Sequence, residues 1–273
     1  MAKKALNEMS FLDHLEALRW VLVRSSAAVL VMAVFSYFFA DYIFNDLIFG
    51  PTDPGFITYR FFCNASHFLG FADSICIEKL NFIIQNTEME GQVNIFVWVC
   101  ITIGFILAFP FILWELWKFI SPALYEKEKE HAKLFIFIAS LLFFLGVLFG
   151  YFVIVPMSVN FLATFSISEI VKNQFSIDSY VSMVKTAVIA GGLFFELPII
   201  IYFLTKLGLV GPNFLRKYRK YAIVIVLIVA AIVTPPDVVS QITVAIPMLL
   251  IYEVSIWISA AVEKNKKQNE QAS

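Results

Sequence analysis

Two kinds of residue in this chain could do chemistry: a carboxylate set in apolar sequence, and charges massed where apolar sequence stops. Glu196 stands in FFELPIII, with two phenylalanines before it. An ionised carboxylate in a bilayer costs ~2.5–3.5 kcal/mol on insertion scales, so it must face protein or water, or carry a proton. Its functional reading is a polar contact for a translocating segment or a partner helix. Its structural reading is a pair with Lys185, but eleven helical residues span roughly 16 Å, too far for pairing along one helix. The second concentration is Trp114 to Lys133, WELWKFISPALYEKEKEHAK, where Glu126, Lys127, Glu128, Lys129, Glu130 and Lys133 follow Pro122. The proline favours extended or turned backbone before these charges. A rigid turn with carboxylates at a membrane surface can hold a cationic peptide. A solvated loop of mixed charge that sets topology explains the same residues.

The remaining polar residues of apolar stretches have milder readings. Gln241 lies near a helix end, open to water or to a partner. Asp237, after Pro235 and Pro236, is placed to cap the helix that follows. Glu253 lies near the other end of that segment, where it meets water. His14, His67 and His131 are scattered, which argues against a metal site. No CxxC or Cys/His zinc spacing occurs. GxSxG, P-loop and HExxH patterns are absent too, so neither catalysis nor a cofactor is expected.

Membrane helices must position these groups. Of the 273 residues 60% are hydrophobic, 30 are Phe, and the mean hydropathy is +0.82. Several apolar runs reach the ~20 residues that cross a bilayer. The pattern predicts an all-α integral membrane protein with six transmembrane helices, at about 20–44, 93–119, 134–157, 180–204, 221–234 and 238–258. Helices five and six are expected to be short. Residues 1–262 form a single membrane domain, and 263–273 a polar, unstructured tail. Gly146 and Gly150 have the small-xxx-small spacing that permits close helix approach. Pro110, Pro156, Pro198 and Pro247 lie within or near segments. They either kink the helices into a concave face or are ordinary membrane prolines. Segment five, at about 14 residues, gives roughly 21 Å against a hydrocarbon core of ~30 Å. It must tuck against neighbours or thin the bilayer.

Charge orients the segments. One side collects Lys3, Lys4 and Arg19, then Lys118, Lys127, Lys129 and Lys133, then Lys206, Arg216, Lys217, Arg219 and Lys220, then Lys264, Lys266 and Lys267. The other side holds Arg60, Lys79 and Lys172. The positive-inside rule predicts both termini in the cytoplasm. Cys63 and Cys76 then share an outer loop on the oxidising side, where a disulfide and two free thiols are both open. Cys100 lies in an apolar run and reads as an inert packing residue.

Taken together, FISPALYEKE (Phe119 to Glu128), FFELP (Phe194 to Pro198) and TPPDVVSQITVAIPM (Thr234 to Met248) resemble the TatC family, the core subunits of the twin-arginine protein translocase. The resemblance covers nearly the whole chain. HLEALR (His14 to Arg19) departs from the family's HLxELR, because Ala17 stands where the family has Glu and a Glu comes one place earlier, at Glu16. The resemblance implies a receptor for paired-arginine signal peptides at the cytoplasmic face of the bacterial cytoplasmic (inner) membrane. By motif position Glu16, Leu18, Arg19, Phe119, Pro122 and Glu128 belong to that site, and guanidinium groups suit it through bidentate bonds to carboxylates. Glu196 matches the family's intramembrane glutamate. Thr234 and Gln241 match positions that contact single-helix partners of the TatA and TatB types, and Pro51, Pro235, Pro236 and Asp237 are structural. Folded cargo crosses at the expense of the proton motive force, without bond chemistry in this subunit. The chain is further expected to associate with itself in the receptor complex and to need no nucleic acid. The rival reading is a proton- or cation-coupled small-solute secondary transporter using Glu196. The internal repeats and paired broken helices common in such transporters are not visible in the sequence.

Overall fold

The computed structural model describes residues 11–68, 80, 82–121, 132–168 and 170–272. Helix α1 (Phe11–Tyr37) leads through a short helical turn, a π-helical stretch (Ile43–Ile48) and a 3-10 turn (Gly50–Thr52) to α2 (Ile57–Phe68). Strand β1 (Ile83–Gln85) precedes α3 (Gly91–Ile120). Helix α4 (Ala132–Phe149) passes through a π-helical turn (Gly150–Ile154) into α5 (Val155–Thr164). After β2 (Gln174–Ser176) come α6 (Ile177–Phe195), α7 (Leu197–Lys206), α8 (Pro212–Lys217), α9 (Arg219–Val233) and α10 (Val238–Ala272).

Among the described residues five helical stretches are long and apolar enough to cross a membrane: His14–Tyr37, Gly91–Ile120, Lys133–Thr164, Ile177–Lys206 and Val238–Asn265. Their outward faces carry exposed Val31, Val93, Phe137, Leu250 and Trp257, a surface suited to lipid rather than water. The sixth apolar helix, α9, has 15 residues. It spans about 22 Å, short of a ~30 Å hydrocarbon core.

Two backbone-to-backbone seams hold the bundle. On α3, a Cβ at Gly104 would come within 2.7 Å of the Ala33 nitrogen and the Val29 carbonyl of α1. On α4, a Cβ at Gly146 would collide with the Gly191 carbonyl of α6, and one at Gly150 would lie 2.8 Å from the Val188 Cα. The Gly146/Gly150 spacing thus has its match in Gly191 and Ala187 across the seam. Around it Val99, Ile154, Val155, Val181, Val184, Ala230, Val244 and Met248 form one buried core. The two strands pair in parallel, Ile83 with Gln174 and Gln85 with Ser176, and join the loops at one end.

Five boundaries differ from the sequence expectation. Helix one, expected at about 20–44, runs Phe11–Tyr37 and gives way to a short turn and the π-helical stretch. Helix six is not short: α10 continues through the polar tail to Ala272, because nothing after Pro247 interrupts it and Glu, Lys, Gln and Ala favour helix. Segment three runs to Thr164: Pro156 follows directly on the π-helical turn, and the Phe152 carbonyl one turn before it accepts from the Thr58 hydroxyl instead. The long loop 45–92 contains α2 and β1. Segment four is broken at Glu196, because Pro198 has no N–H to offer the preceding turn. Pro110 and Pro247, by contrast, lie within continuous helices.

Candidate functional site

The predicted residues fall in three places. The first is the end of the bundle where α1 begins and α3 finishes. His14 packs its ring on Phe119, centroids 4.5 Å apart, so HLEALR and the start of FISPALYEKE lie side by side. Glu16 and Arg19 share an i,i+3 pair at 3.7 Å, with both side chains about two-thirds exposed. The Arg19 guanidinium also sits over the Trp20 ring, 5.5 Å from its centroid. Leu18 and Ala17 are half-buried. Pro122 and Glu128, like the rest of the charged loop, lie outside the described residues.

The sequence reading missed the centre of this region. Glu115 has a side chain only 3% exposed. Its Oε2 accepts from Arg24 Nε at 2.7 Å, and its Oε1 accepts from Lys118 Nζ at 2.8 Å. Nothing local in the sequence marks the first pair, whose partners lie on two different helices 91 residues apart. The Lys118 pair, at i,i+3, was there to be read.

The second place is the break between α6 and α7. Glu196 is 6% exposed, and its carbonyl closes the first turn of α7 through the Ile199 and Ile200 N–H groups. Its side-chain Oε1 is buried and has no hydrogen-bond partner among the described residues. Lys185 is occupied elsewhere, over the Trp98 ring.

The third place is the α9–α10 turn. Thr234 is buried, and its hydroxyl donates to the Ala230 carbonyl at 2.8 Å. Asp237 Oδ2 accepts the Ser240 N–H at 2.7 Å, the bond of an N-cap. Burial alone would raise the Asp237 carboxyl, but its bonds from Ser240 and from the Val239 N–H hold it below the usual range. The Gln241 side-chain amide donates to the Leu227 carbonyl at 3.0 Å and so ties α10 to α9. Thr234, Pro235 and Pro236 line a cavity of about 390 Å³ with Tyr180, Met183 and Phe82. Glu253 does not merely meet water: it accepts from Arg219 Nη2 at 2.7 Å.

Pro51 is buried, and its carbonyl accepts the Tyr59 hydroxyl at 2.9 Å. Cys63 is disulfide-bonded, while Cys100 is free and buried. Cys76, whose disulfide with Cys63 the sequence left open, lies outside the described residues. Among the described residues no three His, Cys, Asp or Glu gather as metal ligands.

Comparison with known proteins gives the family. Residues 13–247 match the model of the family described as Sec-independent protein translocase protein (TatC). A TatC of Blattabacterium is 42% identical over 97% of this chain and 100% of its own length. One from Aquifex aeolicus is 34% identical over 97% and 100%. A solved structure described as the twin-arginine translocase receptor TatC superposes with a TM-score of 0.71 at 33% identity, covering 92% of this chain and 99% of that one. With the family model spanning most of its length and relatives matched end to end, this multi-pass membrane chain belongs to the TatC family of Sec-independent protein translocase proteins.

Proposed function

We propose that this chain is the signal-peptide receptor and core subunit of a twin-arginine translocase, which exports folded proteins on the proton motive force. The observation that carries the reading is the His14–Phe119 ring contact. It supports one composite site in which HLEALR and the loop after α3 act on the same ligand. Exposed Glu16 and Arg19 form the α1 side, with Leu18 beneath them. Phe119 belongs to the other side, and by motif position Pro122 and Glu128 act with it: Glu128 binds an arginine of the signal through charge-assisted bonds that lysine cannot reproduce. Glu196 offers a buried carboxylate to the signal's apolar stretch or to a partner helix.

The chain has six spans, with α9 as the short fifth, and both termini in the cytoplasm of a bacterial inner membrane. Its single membrane domain associates with further copies and with TatA- and TatB-type single-helix subunits along the α9–α10 hairpin. Because Thr234 is buried and Gln241 is bonded to Leu227, these two shape the hairpin, and partner helices meet its exposed neighbours such as Ile232 and Ile242.

Site-specific photocrosslinking from positions 128 and 196 tests the reading, with Arg-Arg and Lys-Lys signal peptides compared. Arg-dependent crosslinks at 128 are expected, and with the photoreactive residue placed in the signal peptide instead, Glu128→Arg weakens crosslinking in a protein that still folds. Absence of crosslinks from both positions in a folded, inserted protein returns the secondary-transporter reading.

A further inference from the structure

Glu115 is a buried anion between two cations on the inner side of the composite site. Its neighbours explain what it holds. Along α1, His14, Val21 and Arg24 fall on one face, and Val21 between the other two is buried. Along α3, Glu115 stands one turn before Phe119. From His14 to Arg24 the rise is about 15 Å, whereas from Phe119 back to Glu115 it is about 6 Å. Arg24 therefore reaches back toward the start of α1, the direction helical side chains take, to meet Glu115. Farther along, the Gly104 seam fixes how closely the two helices approach. The seam sets distance only, because small residues and bare backbone slide and turn against one another. The ion pair, with 2.7 Å and 2.8 Å bonds on the two carboxylate oxygens, is directional.

We propose that Glu115 is a positioning residue. By binding Arg24 and Lys118 together it fixes the rotation and height of α1 on α3, and so sets the His14–Phe119 edge beside which a signal's arginines bind. The last clause rests on the receptor reading above; the geometric part does not. Without Glu115, two cations face each other at the seam, and α1 turns to separate them.

The test has two arms on the full-length protein in membranes. The first is crosslinking by a short thiol reagent between His14→Cys and Phe119→Cys, without any signal peptide. Glu115→Gln should lower its yield about tenfold, the scale of coupling within one ion-pair network. The swap Arg24→Glu with Glu115→Arg should restore it. The second arm uses a signal peptide carrying a photoreactive residue beside its arginines. Glu115→Gln should cut the preference for Arg-Arg over Lys-Lys, while the amount of folded, inserted protein at the assay temperature holds. A general loss of structure would lower both peptides equally. Unchanged His14–Phe119 crosslinking in Glu115→Gln overturns the inference, whatever the peptides do. If the unaltered protein shows no Arg-dependent crosslink, the receptor reading falls, and the first arm still decides the role of Glu115.

Discussion

At the end of the bundle where β1 and β2 pair, hydroxyls and amides donate to backbone carbonyls. Tyr59 donates to Pro51 and, at 3.2 Å, to Pro156; Tyr151 donates to Leu47, Tyr180 to Ile48 and Thr58 to Phe152. Asn173 donates to Leu162, Ala163 and Phe165. Burial pushes the Tyr59 hydroxyl above the usual tyrosine range, so it stays a donor. The opposite, basic end adds charged pairs between side chains, and two of them, Glu16–Arg19 and Arg219–Glu253, are exposed, beside the buried Tyr252–Leu215 and Thr205–Ser259 bonds. The difference separates two duties. Donors matched to fixed carbonyls cannot be borrowed by a ligand, so the first end contributes rigidity. Exposed pairs exchange partners at little cost, so the basic end can receive a charged peptide. Glu115 differs from these exposed pairs: it is a buried carboxylate that holds two cations.

Three substitutions probe this contrast, in order of decreasing effect. Tyr59→Phe removes the donor from two buried carbonyls and should cost about 1–3 kcal/mol. Thermal unfolding in detergent should shift down while signal crosslinking stays unchanged; a binding defect without a stability defect would break the division of duties. Asp237→Ala deletes the α10 cap and should cost about 0.5–2 kcal/mol. Because the folded carboxyl is held below its usual value, this contribution is complete above the unfolded value of ~3.9 and disappears as pH falls through the lower folded one. Melting of the two proteins should therefore differ at neutral pH and converge in acid. Glu16→Gln should change stability by no more than a few tenths of a kcal/mol, as exposed i,i+3 pairs do, yet weaken Arg-Arg signal crosslinking. Unaltered crosslinking would mean that Glu16, one position from the family's glutamate, does not replace it.

The bundle was legible because a membrane helix must be apolar over its whole length, and runs such as Val93 to Leu113 admit no other reading. Its ends were less so. The extension of α10 lies in polar sequence where hydropathy is silent, and the π-helical turn at Gly150–Ile154 leaves no compositional mark. Glu196 was legible from its cost in apolar sequence, but not its place at a helix break, which Pro198 causes from two residues away. Phe119 and Glu16 were found through motif resemblance. The part of Glu115 was hidden, because the Arg24–Glu115 pair depends on the relative phase of α1 and α3, and neither helix alone records it.

The parallel pairing of Ile83 with Gln174 has a consequence for biosynthesis. All of α3, α4 and α5 separates the two strands, so a ribosome delivers three helical elements before the second strand exists. Until then β1 waits with unpaired backbone groups, exposed to chaperones or to a neighbouring nascent chain. Closure of this small sheet thus reports that insertion has reached α6 in the right order. An amide-exchange signal from Ile83, whose N–H donates to the Asn173 carbonyl, would serve as a clock for assembly.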